Sequence, residues 1–305
     1  MVYHEVRKIR GKKMNYLIQN QREGIKWVKK SRFVGAGKIS KEKIKKLKEE
    51  FEIELRKNKK YKHLSKKQVE DIGVLKSSFC KSIDSLSSDE FAEFEKSLFT
   101  ELIYNSNAIE GNSLSLEETS LILNENIVPE GKTLREIYEV RNHKTALEFL
   151  KDYTGDFNEN LILKLHSIIL KDISKRFAGR YRESSVRIFG SNVKFPDSEK
   201  VPQLIRNLIY WYKKNKRKYH PFEIAVLISM KFVTIHPFID GNGRVSRLLM
   251  NFLLTKNNYP KIDIYMTQRN RYLKAVRRAN EEDYSEIFPF LINALKENLK
   301  RFKII

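Results

Sequence analysis

The chain has almost no cysteine and no long apolar segment. Cys80 is the one cysteine among 305 residues, so no disulfide can form within the chain, as expected for a reducing cytoplasm. No apolar run approaches the length of about 20 residues that a membrane-spanning helix needs, and the first residues lack the apolar core of a signal peptide. We therefore expect a soluble, cytoplasmic protein with no membrane partner.

Acidic residues are scarce beside the basic ones. The 60 lysines and arginines outnumber the 38 aspartates and glutamates, which gives a formal net charge of +22. Such a balance attracts polyanions. The basic runs, however, mix lysine with glutamate and lack the interleaved aromatic residues that stack on bases. We therefore expect the positive field to favour ATP and acidic protein surfaces, and we expect no nucleic-acid partner.

Histidine is also rare, and its positions do not form a set of metal ligands. His4, His63 and His220 have no companion ligands nearby in the sequence, so a zinc site is not expected. His143 and His166 fall within helical patterns, where packed side chains are the simpler interpretation.

The stretch from His236 to Arg247 concentrates the remaining chemical groups. Gly241 and Gly243 flank Asn242, and glycines can adopt the positive φ angles that turn successive backbone N–H groups toward one anion. The apolar segment 245–254 predicts a buried helix, so this nest would lie at a helix N-terminus, where the dipole also favours an anion.

Charged and titratable groups surround the predicted nest. Arg244 and Arg247 are three residues apart and share a helix face, and their forks match phosphate oxygens. Asp240 is placed to hold a Mg²⁺ ion shared with phosphates. His236 follows an apolar helix and can act as a general base at neutral pH. A plain turn between core helices would explain Gly-Asn-Gly alone, but not the whole set, which predicts an enzyme acting on a nucleotide.

This stretch resembles the signature of the Fic (filamentation induced by cyclic AMP) family, His-x-Phe-x-Asp/Glu-Gly-Asn-Gly-Arg-x-x-Arg, at every fixed position. The resemblance implies a helical fold that binds ATP and Mg²⁺ and transfers AMP to a hydroxyl of a target protein. It also implies that His236 is the base, Asp240 the metal ligand and Gly241 to Gly243 the phosphate nest. Arg244 and Arg247 would hold phosphates.

A second short motif lies upstream. Ser106 and Glu110 are four residues apart and would share a helix face, and Gly111 is a C-terminal stop; an ordinary surface turn is the alternative. The motif resembles the inhibitory Ser/Thr-x-x-x-Glu-Gly/Asn of the class of Fic proteins that carries it N-terminal to the core. That resemblance implies that Glu110 pairs with Arg247 and excludes the γ-phosphate, which predicts low resting activity.

Two further segments carry weaker signals. Alternation within 179–196 predicts a β-hairpin that resembles the family's flap, with Val186 and Ile188 positioning a target segment; a hairpin that only shields a helix end is the alternative. Tyr272 and Asn280, in a predicted amphipathic helix, match positions where the family contacts adenosine. Core packing and helix capping would explain these two residues equally simply.

The chain divides by composition into two parts. Residues 1–75 predict a small basic β/α segment, with β-like pieces before Gly37 and a lysine-rich helix from Lys41 to about Lys57. Residues 76–305 predict an all-α, Fic-type catalytic bundle with a β-hairpin flap and the inhibitory helix. The resemblance covers about 90–295.

We therefore expect a self-inhibited protein adenylyltransferase that moves AMP from ATP to a Tyr, Ser or Thr hydroxyl of a protein substrate. One alternative is a de-AMPylating hydrolase in which Glu110 orients water and His236 acts as acid. A third possibility is transfer of phosphate or another nucleotide group, and a fourth is a basic module that senses a nucleotide without catalysis. The sequence leaves both a monomer and a homodimer open, and it does not identify the target.

Overall fold

A computed structural model describes residues 2–9, 11–23, 26–57, 61–186 and 194–304. The chain forms two compact units, residues 1–60 and 61–305. The boundary therefore lies earlier than the predicted position after residue 75. The difference arises because Ile72 and Leu75, which precede that position, are buried in the core of the second unit.

The first unit is a three-stranded antiparallel sheet followed by a helix. The strands β1 (Tyr3–Ile9), β2 (Lys12–Glu23) and β3 (Lys26–Ala36) are joined in chain order. The helix α1 (Lys41–Lys57) begins at Ser40, whose Oγ accepts a hydrogen bond from the backbone N–H of Lys43 at 3.3 Å. Both the β-like pieces and the lysine-rich helix were predicted correctly, because alternation and the capping serine are local signals.

The second unit is built mainly from α-helices. Its helices are α2 (Lys66–Ser85), α3 (Ser88–Ile109), α4 (Leu116–Ser120), α5 (Leu134–Asp152), α6 (Glu159–Ile169), α7 (Val201–Asn215), α8 (Pro221–Ile235), α9 (Asn242–Thr255), α10 (Arg269–Asn280) and α11 (Ile287–Arg301). A short π-helix, Leu121–Glu125, continues α4. Together the two units confirm the predicted fold class, a helical bundle with a small N-terminal β/α segment.

Several of these helices begin after a serine or threonine that is followed, three residues later, by a glutamate or glutamine. In each case the hydroxyl accepts a hydrogen bond from a backbone N–H, and the longer side chain accepts one from the capping residue. These pairs are Ser65 and Gln68, Ser87 and Glu90, Ser115 and Glu118, and Thr133 and Glu136.

The centre of the helical unit is the pair α8 and α9. Both helices are buried around most of their circumference, which suits helices enclosed by others. Where they cross, the hydroxyls of Ser229 and Ser246 lie 2.7 Å apart. Because this pair is rigidly packed, the loop of residues 236–241 that joins it is held in a fixed position. None of the described helices is both long and apolar enough to cross a membrane.

The predicted flap can be compared only at its ends. Residues 187–193, which include Ile188, lie outside the described residues. The flanking residues 179–186 and 194–196 form no strand, and Val186 is half-buried beside this segment. The hairpin therefore stays a prediction.

Candidate active site

The loop between α8 and α9 begins at His236, which has a left-handed backbone. Its φ and ψ are 51° and 60°, and its N–H donates to the carbonyl of Phe232 at 3.0 Å. A residue with a side chain rarely adopts this conformation. Pro237 then prevents α8 from continuing, because it lacks an N–H. The turn directs the His236 side chain away from the helix axis and into the loop.

Arg182 and Phe195 hold His236 in this position. The Nε of Arg182 donates to the His236 carbonyl at 2.8 Å, and the backbone N–H of Arg182 donates to the Pro237 carbonyl at 2.9 Å. The Phe195 ring stacks on the imidazole, with centroids 4.0 Å apart. The His236 imidazole is therefore held both through its backbone and at one face of its ring.

The His236 imidazole is neutral near pH 7. Burial lowers its pKa to about 4, against the opposing effect of the Val233 backbone, because a charged ring loses its hydration when it is buried. The Nδ1 atom is buried, with no hydrogen bond of good geometry to the described residues. Nε2 is therefore the nitrogen left to accept a proton from a substrate.

The turn after Phe238 is locked by Asn242. The Asn242 Nδ2 donates to the Phe238 carbonyl at 2.8 Å, and Oδ1 accepts from the Phe238 N–H at 3.0 Å. The Asn242 side chain is thus engaged within the loop, which leaves its backbone N–H, at the start of α9, as the group that can face an anion.

The two glycines have different roles. Gly241 has φ 77° and precedes the first residue of α9, as predicted for a nest. Gly243 is helical, and its φ is not positive, so the expectation of two left-handed glycines was wrong. A Cβ at Gly243 would lie 2.2 Å from Glu110 Oε1. Glycine is needed there to let the carboxylate approach the helix.

Asp240 lies at the mouth of the loop with two arginines. Its Oδ2 accepts from Arg135 Nη2 at 2.6 Å, and its Oδ1 accepts from Arg244 Nη2 at 3.2 Å. The Arg135 side chain is 60% exposed and the Asp240 side chain 41%. An exposed arginine can leave one carboxylate oxygen free without disturbing the core.

Arg244 is more enclosed than predicted for a phosphate ligand. Its side chain is almost fully buried, and Nη1 lies 3.1 Å from Glu139 Oε1 in an ion pair. Its Nε is buried and has no hydrogen-bond partner within the part of the chain that the structure describes. Arg244 is therefore bound to carboxylates on both sides, and its present contacts hold Asp240 rather than face an open site.

Arg247, on the helix α9 that follows the loop, is hydrogen-bonded to the end of α3. Its Nε donates to Ser106 Oγ at 2.9 Å, while Nη2 donates to the Ser106 carbonyl and to Glu110 Oε1, both at 2.8 Å. The structure thus brings Ser106 and Glu110 of the upstream motif into contact with Arg247 of the signature, although 137 positions separate Glu110 from Arg247. These contacts engage the Nε and Nη2 atoms of the Arg247 fork.

Tyr272 and Asn280 lie at opposite ends of α10 and do not share one site. Tyr272 is buried and packs against Phe290, with centroids 5.8 Å apart. The Asn280 Oδ1 accepts from Thr234 Oγ1 at 2.8 Å, and Asn280 lines a cavity of about 320 Å³ together with Trp211. Asn280 therefore lies next to a space large enough for a nucleobase, whereas Tyr272 is a buried residue whose side chain interacts with Arg247 of the candidate site.

Several residues that shape the loop were not identified from sequence. Arg135 and Glu139 are four apart on α5, a spacing typical of an ion pair, but nothing in the sequence connects them to Asp240. Arg182 contacts a residue 54 positions away, and Phe195 contacts the same residue from another part of the chain. No local pattern could have found these long-range contacts.

His166 packs against the loop of residues 236–241, in agreement with its predicted packing role. Its ring stacks on Phe238 with centroids 3.6 Å apart. Nδ1 accepts from the Gly179 N–H at 3.0 Å, which places the proton on Nε2, where it donates to the Asp240 carbonyl at 3.1 Å. His143 is likewise buried, so both histidines are packed residues, as predicted.

Asp240 is the predicted ligand for a divalent cation. Among the described residues no three His, Cys, Asp or Glu side chains converge on one point. Mg²⁺ commonly takes one or two carboxylates and completes its coordination with water and substrate phosphates. Asp240 fits that mode once Arg135 releases Oδ2, and it does not fit a cage made only of protein ligands.

Residues 156–254, which contain the whole catalytic loop and nearly all of α9, match the family model described as Fic/DOC family. The chain belongs to this family. The predicted membership of the Fic family, made from the signature at residues 236–247, is therefore confirmed.

Curated Fic relatives match about two thirds of the chain. The protein adenylyltransferase Fic of Drosophila yakuba is 32% identical over 209 residues, which are 67% of this chain and 42% of that protein. The protein of the same name from Nematostella vectensis is 31% identical over 212 residues, 68% of this chain and 49% of that protein. The chain thus spans less than half the length of these relatives.

Solved Fic structures share the fold. Fic-1 from C. elegans, residues 134–508, has a TM-score of 0.70 and 26% identity, covering 78% of this chain and 71% of that one. A Fic-domain signalling protein from Bacteroides thetaiotaomicron has a TM-score of 0.65 and 28% identity, covering 74% of this chain and 94% of that one.

Proposed function

We propose that this Fic protein is a protein adenylyltransferase that moves AMP from ATP to a hydroxyl of a target protein. One observation carries the proposal: a neutral, rigidly held histidine lies in the same loop as the N-terminus of a buried helix that bears Arg244 and Arg247. The relatives named protein adenylyltransferase Fic support the same activity.

The chemistry requires one proton transfer and one displacement at phosphorus. The Nε2 of His236 accepts the proton of a Tyr, Ser or Thr hydroxyl. The hydroxyl oxygen forms a bond to the α-phosphorus, and the bond from that phosphorus to the bridging oxygen breaks. Pyrophosphate leaves with the electron pair. A pKa near 4 keeps His236 unprotonated and ready to accept at neutral pH.

The start of α9 would hold the phosphates. The first N–H groups of a helix have no partner within it, and the left-handed Gly241 turns the chain so that they face the loop. Mg²⁺ at Asp240 would neutralise charge on the phosphates. Arg135, which now pairs with Asp240, would move away when the metal and nucleotide bind.

We propose that the enzyme inhibits itself through Glu110. A guanidinium that is already bound by Ser106 and Glu110 cannot bind the γ-phosphate in the same way. The Glu110 carboxylate also places a negative charge where the phosphate would lie, so the two repel. Resting activity would therefore be low until Glu110 is displaced.

The test is AMP incorporation from ATP labelled at the α-phosphate, in the presence of Mg²⁺. It compares the wild type, Glu110→Gly, and Glu110→Gly combined with His236→Ala, using the protein itself and a cell lysate as acceptors. A strong signal in Glu110→Gly alone supports transfer and self-inhibition together. No transfer by Glu110→Gly, with ATP binding verified by calorimetry, would overturn the assignment as a transferase.

Removal of AMP is a second candidate, favoured by the position of Glu110. Its carboxylate lies over the first turn of α9, with Oε1 where a Gly243 side chain would be, and it is 37% exposed. A carboxylate there can orient water toward a bound phosphate. Release of AMP from a modified protein by the wild type, lost in Glu110→Gly, would favour hydrolysis over transfer.

A further inference from the structure

The positive charge of the chain is concentrated in its first unit. Residues 1–60 contain 20 lysines and arginines and 7 glutamates, so they carry +13 of the formal net charge of +22 in one fifth of the length. This excess lies outside the unit that contains the loop at His236. We therefore expect the first unit to bind an anionic partner.

The two faces of the sheet differ in what they bury. Leu17 of β2 packs with Val2 and with Phe51 of α1, so one face is covered by the helix. The neighbouring Tyr16 points to the opposite face, because successive side chains alternate across a strand. On that face Tyr16 pairs in register with Glu5 of β1 and Phe33 of β3. Ile18, two residues further along β2 on the same face, is buried, so the exposed part of this face lies around Phe33 and Lys12.

Aromatic rings and cations lie side by side on this second face. The rings of Tyr16 and Phe33 have centroids 5.4 Å apart, and the Arg7 guanidinium lies 4.5 Å above the Tyr16 ring. Phe33 remains 52% exposed. Arg7 and Lys29 both pair with the Glu5 carboxylate, at 2.7 and 3.1 Å, and their side chains remain 37% and 46% exposed. We call Arg7, Tyr16, Lys29 and Phe33, together with the exposed Lys12 on the same face of β2, the basic sheet face.

This arrangement removes the reason for expecting no nucleic-acid partner. That expectation rested on basic runs without interleaved aromatic residues. Tyr16 and Phe33 are 17 positions apart in the sequence, and the pairing of β2 with β3 places them in contact. A large exposed ring beside several cations is the combination that binds the bases and phosphates of a single strand.

We propose that the basic sheet face binds single-stranded nucleic acid, with a base stacked on Phe33 and phosphates on Arg7, Lys12 and Lys29. A duplex presents its phosphates but keeps the faces of its bases stacked, so it could use the cations but not the exposed ring. An acidic protein segment offers carboxylates without a flat base to cover Phe33. The RNA and DNA forms share the required chemistry. This binding is independent of AMP transfer and of the loop at His236.

The test measures fluorescence anisotropy of labelled oligo(U), oligo(dT) and a DNA duplex, each about 20 nucleotides long, with the full chain. We expect saturable binding of the single strands. With about three phosphate contacts, affinity should fall about 20-fold between 50 and 200 mM salt. A preference for oligo(U) or for oligo(dT) identifies RNA or DNA as the ligand.

Matched variants separate stacking from charge. Phe33→Leu keeps an apolar side chain and should weaken single-strand binding about fivefold or more, whereas Tyr210→Leu, at an exposed tyrosine of α7, should have no effect. Lys12→Gln with Lys29→Gln should weaken binding and flatten its salt dependence. The control pair is Lys164→Gln with Lys175→Gln, exposed lysines of the helical unit. Circular dichroism verifies that each variant is folded.

Three results would overturn the proposal. The first is no binding of either single strand at 50 mM salt. The second is equal affinity for the duplex together with no effect of Phe33→Leu, which would show non-specific attraction to phosphates. The third is displacement of the oligonucleotides by polyglutamate at equal charge concentration, which would show that an acidic protein is the better partner.

Discussion

Arg247 Nη2 lies 2.8 Å from both Glu110 Oε1 and the Ser106 carbonyl, so one end of a guanidinium joins the end of α3 to the helix of the catalytic loop. The two members of the ion pair differ in burial. The Arg247 side chain is 7% exposed and that of Glu110 is 37% exposed. The arginine is therefore fixed, whereas its carboxylate partner is accessible to solvent and can be replaced by another anion.

The first prediction concerns that replacement. Glu110→Gly should raise AMP incorporation about tenfold or more, because even a competition of about 1.4 kcal/mol for the Arg247 fork changes occupancy tenfold. The gain should appear mainly as a lower KM for ATP. Steady-state kinetics with ATP labelled at the α-phosphate measures it.

A matched control exists at the other end of the helical unit. Glu281 also ends a helix, as the residue after α10, and it is exposed. Glu281→Gly should leave the kinetics unchanged. If both variants activated equally, a looser helix end rather than the release of Arg247 would be the cause.

Local signals made most of the fold predictable. The capping serines, the amphipathic spacing in α3 and the all-round apolar α8 and α9 are features of short windows of sequence. The part of the candidate site that could be predicted is the part contained in one contiguous motif, from His236 to Arg247. Arg182 and Arg135 were missed because each acts on a residue far along the chain, and sequence spacing carries no information about such a contact.

Gly243 shows the limit of reasoning from residue type. Glycine suggested a positive φ, the usual reason for this residue in a turn. The structure instead uses the missing Cβ, since Glu110 Oε1 approaches the helix where a side chain would be. Only the tertiary contact between α3 and α9 distinguishes these two uses of glycine.

The second prediction is the pH dependence of the reaction. The base must be unprotonated, and burial lowers the His236 pKa from its usual value to about 4. For the Glu110→Gly enzyme, kcat/KM should therefore stay level from pH 8 down to about pH 5 and fall as the pH passes through about 4. An acidic limb centred near pH 6.5 would show that the free enzyme has an ordinary histidine.

The third prediction concerns Arg182, which positions the base through its backbone. Its guanidinium donates to the carbonyls of His236, Ser184 and Pro196. Arg182→Lys removes the planar fork that spans these acceptors. Each buried carbonyl left without a donor costs about 1–3 kcal/mol, and a small displacement of His236 can lower kcat about 100-fold.

The measurement for Arg182→Lys is made in the Glu110→Gly background. We expect kcat to fall while the KM for ATP changes little, since Arg182 has no contact with the helix that would bind the phosphates. Arg180→Lys is the control, because Arg180 is exposed and two residues earlier. A loss of ATP binding with unchanged kcat would contradict the positioning role.

The fourth prediction concerns stability in acid. His166 is fully buried, and burial lowers its pKa to about 4. Between pH 6.5 and pH 4 the unfolded chain therefore binds a proton at this residue that the folded chain does not, so the free energy of unfolding falls as the pH falls. A pKa shift of this size lowers the free energy of unfolding by about 3 kcal/mol when the pH falls to 4. Urea titrations followed by Trp211 fluorescence, in a Trp27→Phe background, report on the helical unit.

His166→Phe separates this effect from other titrating groups. The variant should be less stable at pH 7, because the Gly179 N–H loses its acceptor, at a cost of about 1–3 kcal/mol. It should also lose less stability between pH 6.5 and pH 4 than the wild type, since a phenyl ring binds no proton. Ser167→Ala, at the neighbouring position, should keep the full pH dependence. Equal slopes for His166→Phe and the wild type would mean that the acid sensitivity comes from other groups.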